Sequence, residues 1–318
     1  MNITPARSTR FGMGTEITHC VFGEHAAKAL QAVEDEAVQL ESLLSCFEPG
    51  SEICRINRAA GVRSEPVSSA TFEVLAQAAE FSKQCQGLFD ITIGPLVRLW
   101  NYKNSTDIPG EARIKQLLPL IGPDNLILSS RAQTAALRKE GQSLELGGIG
   151  KGYASDRFLE TFRSFGISSA FTNIGGGVAV LGRKPDGALW SVGIRHPRQE
   201  QGLIGAVAVD SKAVVTSGDY QRYFIDRGGK RRHHILDPRT GFPAESGLIS
   251  ATVVADSATA ADALSTILFV AGMEKGLEIL RLFPGAGAIL VDADLRIYIT
   301  ADLAKLFQTN KGITASIL

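Results

Sequence analysis

Asp262 and Thr266 stand four residues apart in SATAADALST, an alanine-rich run that Ser257 opens as a helix cap. On a helix that spacing puts both side chains on one face. A carboxylate above a hydroxyl offers hard oxygen ligands. Magnesium prefers such ligands, and it takes only one or two protein carboxylates when it also holds phosphates. Upstream lies the turn HILDPRTG, in which His234 precedes a rigid Asp-Pro-Arg-Thr-Gly corner. An apolar strand, GLISATVVA, joins the two.

A second candidate is the loop GGIGKGY, residues 147–153. It fails as a P-loop, because Glu145 holds the first glycine slot and Gly152 holds the Ser/Thr slot. It fails as a dinucleotide fingerprint too, because Tyr153 stands where the third glycine belongs. Closely spaced glycines still let a backbone approach a ligand, and the N-terminus of the following helix favours anions. Lys151 adds a positive charge. Read alone, the loop is as well explained by a tight strand-to-helix turn. NIGGGVAVLG is another glycine cluster, read as close backbone approach or a bulge. In SGDYQRYF, Tyr220 either stacks on a ring or sits in the core. His233 and His234 are adjacent on an extended segment, so one points inward and the other outward. Asp237 before Pro238 is first of all a turn former. The sequence holds no GxSxG, HExxH or repeated Cys/His spacing, which argues against serine hydrolases and zinc enzymes.

The elements that must position these residues follow from periodicity. Leu30, Val33, Ala37, Leu40, Leu44 and Phe47 recur at helical steps, with Glu34, Asp35, Glu36 and Glu41 on a face expected to be solvated. Ser69 is expected to cap a second helix with Phe72, Leu75 and Ala79 inward, ending at Gly87. LFDITIGPLVRLW, which carries Asp90, reads as a short strand or loop, and Lys103 to Gly110 as a polar turn. Leu126–Leu128 and Ala135–Arg138 read as short strands. LELGG enters the glycine loop as a strand and leaves it as a helix with Phe158, Leu159, Phe162 and Phe165 inward; Gly166 fits its C-cap. SAFTNI, LWSVGI, LIGAVAV and KAVVTS follow as strands, RYFID and HHILD as a hairpin, and GAIL-VDAD-LRIYIT as a last hairpin. Strands crowd the second half without regular alternation with helices. The expected class is α+β, with largely antiparallel mixed sheets packed with helices, in one domain spanning 1–318.

Composition bounds the rest. The 318 residues include 33 basic and 33 acidic ones, a balance that argues against a nucleic-acid binder. Cys20, Cys46, Cys54 and Cys85 lack CxxC spacing, and they read as small buried hydrophobes. His19, Cys20 and His25 are read as strand and loop residues rather than a metal cluster. The start, MNITPARSTRFGMGTEI, has no apolar run long enough for a signal-peptide core, and nowhere is a run long enough for a membrane span. The chain as given is expected in the cytoplasm, or in the periplasm if a leader has been removed.

Taken together, FGMGT, SCFEPGSEICRIN, GLFDITIGPLVRLW, LELGGIGKGYASDR, NIGGGVAVLG, TSGDYQRYF, HHILDPRTG and ADALSTILFVAG resemble the FAD:protein FMN transferase family. That family is also known as ApbE and was formerly described as thiamine-biosynthesis lipoproteins. The eight pieces run in family order from Phe11 to Gly272. The resemblance implies an ApbE-like fold and an enzyme that splits FAD at its pyrophosphate. FMN is joined by a phosphoester to a Thr or Ser of a partner, AMP leaves, and Mg2+ is required. It implies Asp262 and Thr266 as metal ligands, a backbone ligand around Gly148, and Ser265 as a neighbouring contributor. Met13, Phe47, Phe89, Asp90, Glu145, Lys151 and Ile235 fall where the family contacts FAD. His234 matches the motif histidine, and it is nominated as the base for the incoming hydroxyl or as a flavin contact.

Two departures qualify the resemblance. Glu145 stands where many members have Asp, one methylene shorter. The leader and lipid-attachment Cys of exported members are missing, which leaves the compartment and the acceptor open. The expected partner is an acceptor flavoprotein subunit with an Asp-Gly-x-Ser/Thr-Gly-Ala/Ser-Thr-like flavinylation motif, which this chain itself lacks. Two other readings use the same residues: a non-catalytic flavin-binding assembly factor, and an FAD pyrophosphatase giving FMN and AMP.

Overall fold

The computed structural model describes residues 4–102, 104 and 107–318. The chain opens with β1 (Ala6–Gly12), β2 (Thr15–Phe22), α1 (Ala26–Leu44) and α2 (Glu52–Arg58). Next come β3 (Glu65–Pro66), α3 (Ser69–Gln84), α4 (Gly94–Trp100), α5 (Glu111–Leu117), β4 (Leu126–Ser129) and β5 (Thr134–Leu137). Helix α6 (Gly150–Ser164) leads into β6 (Ser169–Ile174), β7 (Gly177–Leu181), β8 (Trp190–Arg195), β9 (Leu203–Val209) and β10 (Ala213–Gly218). The hairpin β11 (Tyr223–Ile225) and β12 (Arg231–His233) precedes β13 (Leu248–Ala255), α7 (Ala258–Ala271) and α8 (Met273–Leu280). Strands β14 (Gly287–Asp292), β15 (Ile297–Ile299), β16 (Phe307–Thr309) and β17 (Ala315–Ile317) close the chain.

Among the described residues, nine strands form one sheet in the order β1-β2-β6-β7-β10-β13-β14-β15-β17. Neighbours are antiparallel except β15 and β17. The expected α+β class is therefore met. Side-chain alternation sends the two faces of this sheet into different cores. Val215, Val253 and Leu290 pack with the helices, whereas Val214, Val254 and Ile289 pack against the small sheet β16-β9-β8. Because both faces of β13 are covered, all eight of its residues are buried, and its sequence is apolar but for Ser250 and Thr252. Helix α7 lies on the helical side with Leu264, Ile267, Leu268 and Phe269 fully buried. Asp262 and Ser265 are thus polar exceptions in an apolar element, and each needs a partner.

Several expectations shift. Phe47 lies beyond α1 and is 73% exposed. The acidic face of α1 is largely engaged rather than solvated, because β1 and α6 flank it. Glu34 binds Ser8 and Arg10, Glu36 binds Arg157 and Thr161, and Glu41 accepts the Met13 N–H at 2.8 Å. Ser68, not Ser69, caps α3; the buried positions are Thr71, Val74, Leu75, Ala78, Phe81 and Ser82, and the helix stops at Gln84. The segment after Asp90 is helix α4, since Pro95 is tolerated in a first turn. Trp100 at its end is fully buried and donates to Gly241 O at 2.8 Å, tying α4 to the Asp-Pro-Arg-Thr-Gly corner. The expected Lys103–Gly110 turn lies partly outside the described residues.

Leu144 enters the glycine loop not in a strand but clamped by the Asn57 amide, which bonds both its N–H and its C=O. Phe165 is only partly buried after α6. Gly175 and Gly176 both have positive φ, so NIGGG is a two-residue type I′ hairpin turn rather than a bulge. The expected RYFID–HHILD hairpin forms over a shorter span: Tyr223–Ile225 pairs with Arg231–His233, His234 N–H donates to Arg222 O, and further on Asp237 N–H turns the chain onto Phe242 O. The β14–β15 hairpin is followed by two more strands.

Candidate active site

Helices α6 and α7 meet N-terminus to N-terminus and build the first corner of the site. Ser257 caps α7 by accepting from Ala260 N–H. Asp156, on α6, accepts from Ala258 N–H at 2.7 Å and Thr259 N–H at 2.9 Å, and from the Ser257 and Thr259 hydroxyls at 2.7 Å each. A carboxylate here satisfies orphan amides and complements the helix dipole. Gly152 allows the crossing: a Cβ there would lie 2.3 Å from Ala258 O and 2.8 Å from Asp262 Cβ. The Gly152 N–H donates to Asp262 Oδ2 at 3.0 Å, and Lys151 Nζ stands 3.7 Å from the same oxygen. Lys151 also donates to Gly147 O at 2.5 Å. Thr266 is one turn on from Asp262, and a Cβ on Gly148 would lie 3.3 Å from its Oγ1. The expected set Asp262, Thr266 and Gly148 thus comes together. Ser265 does not join it. It is fully buried, and its hydroxyl donates to Asp262 O at 2.9 Å, away from the cavity. It stands one residue, or roughly 100°, around the helix from Thr266.

This corner opens into a cleft of about 1790 Å³, whose lining includes the other expected residues: Met13, Phe47, Phe89, Asp90, Glu145, Tyr220, His234 and Ile235. Glu145 accepts the Gly147 N–H at 2.9 Å. Burial pushes its carboxyl up; that amide and the charges of Lys151 and Arg222 oppose the shift. Burial likewise raises Asp90, but both its oxygens are held, by Ser82 at 2.9 Å and by Thr92 at 2.6 and 2.8 Å. Asp90 therefore latches its own loop and places Phe89 on the wall. Burial and then the charge of Arg222 lower His234 to about 4. Its Nδ1 lies 3.2 Å from Arg222 O. A carbonyl only accepts, so Nδ1 carries the proton and Nε2 keeps its lone pair. His233 points the other way, buried against Phe269 with Nε2 3.0 Å from Ala244 O. Met13 sits in a left-handed conformation (φ 51°) at the β1–β2 turn.

The sequence itself carries the same pattern as known proteins. Residues 13–290 match the model of the ApbE family. The chain belongs to the ApbE family. A Klebsiella pneumoniae relative named FAD:protein FMN transferase is 37% identical over 79% of this chain and 78% of its own length. A Treponema pallidum relative of the same name is 32% identical over 92% and 85%. The solved ApbE protein of Thermotoga maritima superposes with a TM-score of 0.87 at 30% identity, covering 95% of this chain and 99% of that one. The apo flavinyl transferase ApbE of Pseudomonas stutzeri gives 0.82 at 29% identity, covering 97% and 95%.

Some residues of this ApbE cleft were not singled out by sequence reasoning. Arg98, Arg195 and Arg222 bring positive charge to its walls, and Phe11 stands 78% exposed at the rim. Phe11 had a signal, since it opens the FGMGT motif. Ser217, in the TSGDY motif, lines the cleft 3.2 Å from Thr266 Oγ1. Asp156 follows the glycine loop in the ASDR motif. Arg98 and Arg222 had a signal too, in GLFDITIGPLVRLW and TSGDYQRYF; nothing local marks Arg195, and the shared cavity is assembled from α4, β8 and the loop before β11. No helix among the described residues is long and apolar enough to cross a membrane.

Proposed function

We propose that this chain is a magnesium-dependent FAD:protein FMN transferase. It cleaves the FAD pyrophosphate, joins FMN by a phosphoester to a Thr or Ser hydroxyl of an acceptor flavoprotein subunit, and releases AMP. The observation that carries the reading is the Asp262, Thr266 and Gly148 corner, set beside Lys151 and the α6 N-terminus in a cleft of about 1790 Å³. The shared name of the relatives supports the flavin chemistry.

The donor chemistry fits magnesium: one buried carboxylate, one hydroxyl and a backbone approach without a side chain in the way. Bound there, the ion would supply positive charge to the pyrophosphate oxygens and to the departing AMP oxygen. Lys151, 3.7 Å from Asp262 Oδ2, adds to that charge. The apolar side chains of Met13, Phe47, Phe89 and Ile235, with Tyr220, take the aromatic rings of the substrate. His234 Nε2 accepts the proton of the attacking hydroxyl. The new bond joins that oxygen to the FMN phosphorus; the bond from this phosphorus to the bridging oxygen breaks, and the bridging oxygen leaves with AMP.

The test is mass spectrometry of an acceptor fragment carrying the Thr/Ser motif after incubation with the protein, FAD and Mg2+. FMN on the hydroxyl residue, one AMP per FMN, and loss of both with EDTA or in Asp262→Asn are expected. An unmodified fragment with FAD converted to FMN and AMP would replace the reading by pyrophosphatase. Intact but saturably bound FAD would replace it by flavin carrier.

A further inference from the structure

Three hydroxyls and one carbonyl form a chain behind the metal corner. Ser265 Oγ donates to Asp262 O at 2.9 Å. Ser217 Oγ, reaching over from β10, lies 2.9 Å from Ser265 Oγ and 3.2 Å from Thr266 Oγ1. Each hydroxyl has one proton, and a carbonyl can only accept. The Ser265 bond to the Asp262 carbonyl, taken as the anchor, sets the direction of the chain. Ser265 spends its proton on Asp262 O, so Ser217 donates to Ser265. Ser217 has then spent its own proton, so Thr266 is the donor in the third contact. Its alternative, Asp262 O at 3.4 Å, is also an acceptor. In either case the Thr266 proton points into the protein and its lone pairs face the cleft, as a cation requires.

We propose that Ser217 is a positioning residue that fixes the direction of the Thr266 hydroxyl and so readies it as a metal ligand, with Ser265 as the relay that sets the polarity. This rests on the metal reading above. It also gives Ser265 a role without contact to the ion. Ser217 joins β10 to α7, so the relay holds the sheet and the helix in register at the site.

The experiment is Mn2+ titration of the full chain, followed by loss of the free-ion EPR signal, together with the Mg2+ dependence of FAD turnover. Ser217→Ala is expected to raise the Mn2+ Kd about tenfold, the equivalent of one neutral hydrogen bond. Its turnover should be slow at limiting Mg2+ and recover toward the wild-type kcat at saturation, a split that general loosening would not give. Ser217→Thr, which keeps the hydroxyl, should bind Mn2+ within about threefold of wild type. Ser265→Ala should weaken Mn2+ binding in the same direction as Ser217→Ala. Wild-type Mn2+ affinity in Ser217→Ala, alongside lost binding in Asp262→Ala, would overturn the relay and leave the metal site standing. Undiminished binding in Asp262→Ala would overturn the metal reading itself.

Discussion

Replacing Gly152 by alanine tests whether close helix contact is what holds Asp262 in place. Gly152 lies in the first turn of α6 with an ordinary helical φ, so propensity alone favours Ala by about 1 kcal/mol. Packing opposes it. The new Cβ would stand 2.3 Å from Ala258 O and 2.7 Å from Ala258 C, roughly 1 Å short of ordinary contact. Those atoms are backbone of α7 and cannot rotate aside, so the helices must separate. Such overpacking costs about 1–3 kcal/mol. Separation also stretches the 3.0 Å bond from Gly152 N–H to the buried Asp262 carboxylate, and a bond to a charged group contributes about 1.5–3 kcal/mol. The clash and the stretched bond outweigh propensity, giving a net loss of about 1.5–5 kcal/mol. Gly150→Ala is the control, because its Cβ would meet only Leu146 Cβ at 3.5 Å. It should be neutral or gain up to about 1 kcal/mol. Urea unfolding followed by circular dichroism at pH 7 measures both. Gly152→Ala as stable as wild type or as Gly150→Ala would refute the reasoning, as would unchanged Mn2+ affinity in a destabilised Gly152→Ala.

His19 is fully buried between Phe158 and Phe162, with neither ring nitrogen hydrogen-bonded among the described residues. Burial, opposed by Glu34 and reinforced by Arg10, lowers it to about 4. The unfolded chain therefore takes this proton first as pH falls, and roughly 3 kcal/mol of stability drains away between pH 6.5 and 4. His19→Leu should keep stability at pH 7 within about 1 kcal/mol and flatten that slope, and urea midpoints at pH 7 and 4.5 that move as in wild type would contradict this. With His234 held near 4, the acid limb of kcat attributable to it should fall near pH 4; a limb near 6.5 that disappears in His234→Gln would count against the neutral imidazole. Phe47→Ala, at a side chain 73% exposed, should leave stability within about 0.5 kcal/mol while raising the KM for FAD several-fold; an unchanged KM would remove Phe47 from the substrate wall.

Much of this was legible in the chain itself. The four-residue step from Asp262 to Thr266, the Ser257 cap and the mainly apolar run of β13 are local signals. Local sterics and periodicity enforce them wherever they occur. Family order among short motifs then located the cleft, and every nominated wall residue lines it. What the chain alone misread were matters of partnership. Ser265 lies next to Thr266 in sequence but around the helix from it, and only the sheet behind α7 shows that its hydroxyl turns inward to Ser217. The acidic face of α1 looks solvated until β1 and α6 supply Arg10 and Arg157. Asp156 caps a helix that begins about a hundred residues later, and the cleft arginines come from three separate elements. Periodicity along one segment determines which face of that segment is apolar. It carries no information about which distant segment will cover that face, because long-range pairing depends on how all the faces fit together at once.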